Sequence, residues 1–348
     1  MAGKKPASPI SLLIAMTVEP NNKSASGQAG RKNKAPGRDL FTKRMLFVTG
    51  KGGVGKTTVT AALGLVASRA GLRTIVCELA AQERIGQLFG HASGTFAETE
   101  VAPDLHTITI DPQHAIEEYL LLQIRVRPVY DLLFKNRVFD YFAAATPGLN
   151  ELVTIGKVWE LAQAKRLTKG FEGYDLVIVD APATGHGLAL LEAPTTFQRI
   201  ARVGPINRQA GKISSFLHDK SLTGVIAVAT AEEMPVNETV DLRAALRERV
   251  ELDLDLVVVN AIEPMVFTDQ DIERVARLAD GPVTSAALAQ HERATSQAGQ
   301  LERLKAAVKR PLVELPFLYE NSIDRHSLNE LADELELQLA GPLAEVAK

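Results

Sequence analysis

Eleven consecutive residues limit what this chain can become more than any other stretch. Val48-Thr49-Gly50-Lys51-Gly52-Gly53-Val54-Gly55-Lys56-Thr57-Thr58 passes from an apolar strand through a glycine-rich turn into a helix start. Met45 to Val48 is a short apolar run suited to a buried parallel strand, and Thr58 to Ala70 carries apolar residues at helical spacing. In that setting the pattern G-x-x-x-x-G-K-T reads as a phosphate-binding loop. Glycines let backbone N–H groups turn inward around phosphate oxygens, at the N-terminus of a helix whose dipole favours anions. Gly52, Gly53, Val54, Gly55 and Thr58 are expected to form the cradle. Lys56 is expected to reach the β- and γ-phosphates of ATP, and the Thr57 hydroxyl to ligate Mg²⁺. The plainer alternative is a tight strand-to-helix connection, against which the full pattern in context weighs.

Short apolar runs near residues 74–77, 105–110, 174–179, 222–229, 254–259 and 312–315 alternate with helical segments. That alternation predicts an α/β fold: a mostly parallel, doubly wound sheet with right-handed crossovers and helices on both faces. At 348 residues and 46% hydrophobic, the chain can bury one large core of this kind with a helical subdomain inserted into it. The expected layout is a single domain over 45–340, with a helical insert at about 113–165, a further helical contribution at about 194–220, and a C-terminal tail at 341–348. No internal repeat points to a tandem pair of such domains.

Chemistry in open α/β sheets gathers beyond the carboxyl ends of the strands. Glu78 ends the second strand, where a carboxylate either orients an attacking water or caps a helix; both readings stay open. Asp180 ends the Tyr174 strand and fits the role of holding the Mg²⁺ shell opposite the loop. The following Thr184-Gly185-His186 turn opens a helix expected near Leu188, and His186 reads more readily as a structural hydrogen-bonder than as a catalyst. Asn260 ends the Leu254 strand, placed to hydrogen-bond a base that Pro316 and Phe317 would flank. Tyr130, Phe134, Phe139, Tyr141 and Phe142 place five aromatics within thirteen residues of a chain with 5% aromatics, and must be buried in a core or against a partner.

Charge is unevenly spread. Residues 1–44 hold nine Lys/Arg against Glu19 and Asp39, so this segment is +7 and the remainder −10. Rich in Pro, Gly, Ser, Asn and Lys, it is expected to be a disordered basic tail, with Met16 or Met45 as alternative initiators. Nothing in it specifies a nucleic acid or a lipid. No stretch approaches the roughly 20 apolar residues of a membrane span. Cys77 is the only cysteine, which excludes an intrachain disulfide and a thiolate metal site built by one chain; a cytoplasmic location follows most simply.

Lys51 directly follows the first glycine, so that G-K-G-G-V-G-K-T-T resembles the deviant loop of dimeric P-loop ATPases. Asp180-Ala181-Pro182-Ala183-Thr184-Gly185-His186-Gly187-Leu188 resembles the second switch, D-x-x-x-T-G-H-x-L, of the arsenical-pump and tail-anchored-protein targeting ATPases. Ile110-Asp111-Pro112, the turn Pro147 to Glu151, Glu232, Glu238-Thr239, Asn260, and Arg293 with Gln297 fall in that family's order, and the likeness covers about residues 45–340. It implies a P-loop NTPase whose catalytic set is Lys51, Lys56, Glu78 and Asp180, using ATP and Mg²⁺. It further implies a homodimer, or a heterodimer with a paralogous ATPase, in which Lys51 crosses to the partner's nucleotide. The insert would hold a hydrophobic client helix, any membrane contact would be indirect, and no specific nucleic acid is expected.

Departures from that family matter as well. Glu78-Leu79-Ala80-Ala81 stands where relatives carry D-P-A-H, and the C-x-x-C zinc clamp of the eukaryotic targeting factors is missing. One cysteine per chain disfavours an efflux driver that binds a metalloid by three thiolates. A membrane-surface switch of the Min or Par type would show a basic amphipathic terminal helix. Leu328 to Val346 instead carries Glu330, Asp333, Glu334, Glu336 and Glu345 on its polar face.

Overall fold

The computed structural model describes residues 40–79, 83–91, 96–123, 148–168, 172–201, 204–278, 281–320 and 322–340. Eight strands form one sheet: β1 Met45–Thr49, β2 Thr74–Glu78, β3 Thr99–Ala102, β4 Leu105–Thr109, β5 Leu176–Asp180, β6 Thr223–Thr230, β7 Leu256–Ile262 and β8 Leu312–Pro316. Their spatial order is β3-β4-β2-β5-β1-β6-β7-β8. All neighbours run parallel except β3, which pairs antiparallel with β4 at one edge. Residues 45–49, 74–78 and 176–180 are buried throughout, as central strands covered by helices on both faces must be.

The helices between them are α1 Lys56–Arg69, α2 Arg84–Leu88, α3 Pro112–Gln123, α4 Leu149–Leu161, α5 Thr184–Ile200, α6 Pro205–His218, α7 Glu233–Arg249, α8 Asp269–Val275, α9 Pro282–Val308 and α10 Arg325–Ala340. Two separate apolar cores follow, one on each face of the sheet. Leu63, Ile85, Leu328 and Leu335 of α1, α2 and α10 pack with the side chains of Leu46, Val48, Ile178 and Val228. Ile155, Leu191, Ile213, Val236 and Leu304 of α4, α5, α6, α7 and α9 pack with Phe47, Val177, Val179 and Ala227. Alternate residues of each strand thus serve opposite cores.

Helices α3 and α4, separated in sequence by residues 124–147, and helices α5 and α6 pack against one another on the second face. The five aromatics from Tyr130 to Phe142 lie outside the described residues, as do Ala80 and Ala81. A buried charge network ties this group to the sheet edge. Arg166 bridges Glu98 at 2.8 Å and Glu160 at 3.0 Å, and Lys157 bridges Glu160 at 3.3 Å and Glu118 at 2.7 Å. The Tyr174 hydroxyl donates to Glu98 at 2.7 Å.

Three expectations need correction. The segment 1–44 is not a tail to its end: Leu40 and Phe41 are buried in the α1 core, and buried Lys43 donates to the Thr223 carbonyl and pairs with Asp255 at 3.2 Å. Two apolar side chains and a satisfied ammonium outweigh the basic composition that pointed to disorder. Helix α5 begins at Thr184 rather than near Leu188, so the Thr-Gly-His turn is its first turn. Strand β3 has no counterpart among the expected runs, since a four-residue antiparallel edge needs little apolar content. No described helix is long and apolar enough to cross a membrane.

Candidate nucleotide site

Strand β1 lies at the centre of the sheet between β5 and β6, and its carboxyl end delivers the glycine-rich loop into the crevice between their ends. The local sequence fits this position closely. Gly50 has φ +150°, and a Cβ there would lie 2.1 Å from the Val228 carbonyl oxygen of β6; at Gly55, φ +86°, a Cβ would lie 2.2 Å from Asn260 Nδ2. Any other residue at either position would force the loop off its neighbours. Around Gly52 and Gly53, by contrast, a Cβ would meet nothing within 4 Å, so this side of the loop faces open space.

That space is a cleft of about 510 Å³, walled by Gly53, Gly55 and Lys56 to Thr58 on the loop side and by Arg84, Gln87 and Ile323 opposite. Lys56 curls back over the loop and donates to the Lys51 carbonyl at 2.8 Å. Its partial burial lowers the ammonium pKa, an effect opposed by the charges of Asp180 and Glu238. Thr57 Oγ1 donates to Asp180 Oδ2 at 2.7 Å, and Thr60 Oγ1 reaches Asp180 Oδ1 at 3.4 Å. Asp180 is only 5% exposed. Desolvation, countered by the Thr57 hydroxyl and reinforced by Glu78, pushes its carboxyl up to about 6. A hydroxyl and a carboxylate so close, opening toward a phosphate cradle, form the oxygen donor set that a hard divalent cation takes. A carboxylate whose ionised form is disfavoured in the empty site gains by meeting such an ion.

Glu78 and Asp180 are register partners on adjacent strands, so their carboxylates leave the sheet at one level. Glu78 is 2% exposed and accepts the backbone N–H groups of Arg84 at 3.0 Å and Ile85 at 3.3 Å. This is the helix-capping arrangement that the sequence left open, and it holds the start of α2. Burial raises the Glu78 pKa, and the two backbone donors oppose that rise. Lys51 turns away from the cleft and pairs with Glu238 of α7, both side chains about one-third exposed.

Asn260 Nδ2 donates to the Val54 carbonyl at 3.0 Å, which fixes the end of β7 against the loop. Pro316 ends β8, and the Phe317 backbone N–H donates to the Ile262 carbonyl at 2.9 Å, so Phe317 follows β8 beside the Asn260 strand with its ring 39% exposed. His186 is exposed on the first turn of α5. Behind it Gly187 leaves no room for a side chain: a Cβ would come 2.8 Å from Thr49 Oγ1. The loop residues, Lys56, Thr57, Asp180 and Asn260 therefore converge, while Lys51 is engaged with Glu238 and Glu78, on the strand next to that of Asp180, has its oxygens on α2. Sequence reasoning missed Arg84, Gln87 and Ile323 as cleft walls and gave Glu238 no role. A basic residue six positions beyond the strand-ending Glu78 was the only signal for Arg84.

A parallel α/β sheet whose central strand feeds a glycine-rich loop, with a hydroxyl and carboxylate pair at the helix start, defines a P-loop NTPase. The family profile described as anion-transporting ATPase matches residues 43–218. The chain belongs to that family of ATPases. It is 26% identical to ATPase BagA of Mycobacterium tuberculosis over 324 residues, covering 85% of this chain and 93% of that protein. It is also 26% identical over 272 residues to an ATPase named as arsenical pump-driving in Halobacterium salinarum, covering 72% of this chain and 42% of that one. With an ATPase named get3 in Pyrenophora tritici-repentis it shares 28% identity over 184 residues, 51% of this chain and 52% of that protein.

Proposed function

We propose that the protein is a cytoplasmic, Mg²⁺-dependent ATPase that dimerises around ATP and couples hydrolysis to binding and release of an apolar client helix. The observation that carries the nucleotide part is the Thr57–Asp180 hydrogen bond of 2.7 Å beneath an open glycine loop. The N–H groups of Gly52 to Thr58 would hold the phosphates, Lys56 would leave the Lys51 carbonyl for the β,γ-bridge, and Thr57 and Asp180 would hold the cation. Bound there, Mg²⁺ would neutralise phosphate charge. Asp180 would keep its oxygens toward the cation shell, and the first turn of α5, rooted at Asp180, would follow the γ-phosphate as a switch. Glu78 would position the first switch by holding α2, leaving lone pairs free toward a water that enters from the cleft.

Support for a client comes from the helical group. Between α3, α4 and α6 lies a small cavity of about 70 Å³, lined among the described residues by Glu118, Leu152, Trp159, Leu167, Ile206 and Ile213. Leu167 and Ile206 are about half exposed. Apolar side chains left in contact with water at a cavity mouth suit an apolar partner segment. Cys77 is wholly buried, with its thiol pKa pushed well up by desolvation, and is poorly placed to ligate a metalloid.

The test is Lys56→Ala with ATP binding and phosphate release as readouts. Both are expected to be lost, because the only side-chain cation at the bridge is gone. Unchanged affinity and turnover in a folded variant would remove the site from the loop.

A further inference from the structure

Resting on the base-contact reading of Asn260 and Phe317, the structure assigns a further part to four residues outside the phosphate loop. We propose that Glu263, Arg293, Gln297 and Tyr319 form a brace that positions the base subsite, and so sets how tightly and how selectively a purine nucleotide is held.

Residue by residue, the chain beyond Asn260 would not hold its course alone. Ala261 sits at φ +60°, a left-handed conformation that residues with a Cβ seldom adopt, where the pairing of β7 with β8 shifts register. Strain of this kind persists only where neighbours over-determine it. Here α9 supplies the restraint. Gln297 accepts the Glu263 N–H at 2.8 Å and donates through Nε2 to the Ala261 carbonyl at 3.1 Å, clamping both sides of Ile262 with one side-chain amide. The Ile262 carbonyl in turn takes the Phe317 N–H at 2.9 Å.

The second arm of the brace runs through the Glu263 side chain. Its carboxylate, 5% exposed, accepts from Arg293 Nε at 3.0 Å and from the Tyr319 hydroxyl at 2.6 Å. Tyr319 meets Phe317 edge-to-face at 4.9 Å between ring centroids. One carboxylate therefore joins α9, the end of β7 and the segment after β8. Asn260 lies at one end of this set and the Phe317 ring at the other. A carboxamide held by its Nδ2 on the Val54 carbonyl keeps its oxygen and a second N–H for a partner. That donor and acceptor pair matches the amine and ring nitrogen edge of adenine and mismatches the oxo group of guanine. A loose Asn260 would lose this discrimination, while the phosphate grip of the loop would not change.

The experiment compares ADP, GDP and inorganic pyrophosphate binding by calorimetry for the wild type, Gln297→Ala, Tyr319→Phe and Asn260→Ala. Gln297→Ala and Tyr319→Phe are each expected to weaken ADP by about 3- to 10-fold, the loss typical of one hydrogen bond, to narrow the gap between ADP and GDP, and to leave pyrophosphate within about twofold. Unliganded melting temperatures report whether a variant merely unfolds; Tyr319→Phe keeps its ring and provides the milder case. If ADP and pyrophosphate weaken together, or if Asn260→Ala weakens ADP while neither brace variant does, the brace is overturned and the base contact stands. If wild-type ADP binds no tighter than pyrophosphate, the base-contact reading itself falls, and the brace falls with it.

Discussion

At the residue scale, two carboxylates carry most of what is unusual about the site. Asp180 holds its proton up to about pH 6 in the folded, nucleotide-free protein, above the ordinary 3.8. The folded state therefore binds more protons than the unfolded chain between those values, and stability falls as pH rises through that window, by up to about 3 kcal/mol for a shift of this size. Asp180→Asn keeps an oxygen for Thr57 and removes the buried charge. It is expected to raise the melting temperature of the empty protein at pH 8 and to leave it nearly unchanged at pH 4, while weakening Mg²⁺-dependent ATP binding. Equal effects at both pH values would separate the gain from ionisation. For Glu78→Gln one acceptor survives, but the new amide N–H₂ faces a backbone donor, so α2 should loosen by about 1 kcal/mol in a urea melt. ATP binding should persist and hydrolysis should slow. Wild-type single-turnover hydrolysis would leave Glu78 with capping alone. Both residues were legible as strand-ending acids. What the sequence could not show was that two backbone N–H groups of Arg84 and Ile85 meet Glu78, because the donors lie six and seven residues further along with no local signal for the contact.

At the scale of elements, six of the seven parallel strands were readable as apolar runs because they are largely buried, and edge strand β8, with only Val313 and Leu315 buried, because its run is still apolar at Leu312, Val313 and Leu315; β3 was not, with only Val101 fully buried. Leu40 and Phe41 were hidden by their basic surroundings: composition averages over a window, and burial is decided by single side chains. The network linking α3 and α4 to the sheet edge was illegible for a different reason. Its members, Glu98, Glu118, Lys157, Glu160 and Arg166, look like surface charges in the sequence, and only the fold brings them together under cover. Arg166 is 1% exposed and answers two carboxylates, which hold its guanidinium pKa up against the desolvation that would lower it. Arg166→Met should cost about 3–5 kcal/mol in chemical denaturation, since Glu98 and Glu160 would keep their charge with one cation fewer. The deficit should shrink in acid as Glu160 protonates, whose carboxyl, despite its desolvation, the Arg166 hydrogen bond and the Lys157 charge hold below the ordinary value. A cost below about 1 kcal/mol would mean that water reaches the network.

At the scale of the whole molecule, the proposed dimer would make Lys51 the link between the site and assembly. It is engaged with Glu238 of its own chain through a pair about one-third exposed, of the kind worth about 0–1 kcal/mol, a small barrier to leaving for another subunit. Lys51→Ala should spare ATP binding and slow turnover by up to the order of 10³, the scale of a cation supplied in trans. Mixing that variant with Lys56→Ala should restore part of the activity in hybrid dimers; no recovery would confine both lysines to one site. The sheet order has a consequence of another sort, for a chain made from its N-terminus. Met45 of β1 pairs with Val177 on one side and with Thr223 on the other. The strand that carries the glycine loop thus leaves the ribosome before both of its neighbours and must wait for partners encoded well over a hundred residues later. Until β5 and β6 arrive, a strand apolar from Met45 to Val48 stands with both edges open, and contacts this remote in sequence form slowly. Birth, for this protein, is the interval in which the strand that leads into the future nucleotide site is most exposed to misjoining, and holdase chaperones would find their target at the apolar run Met45 to Val48.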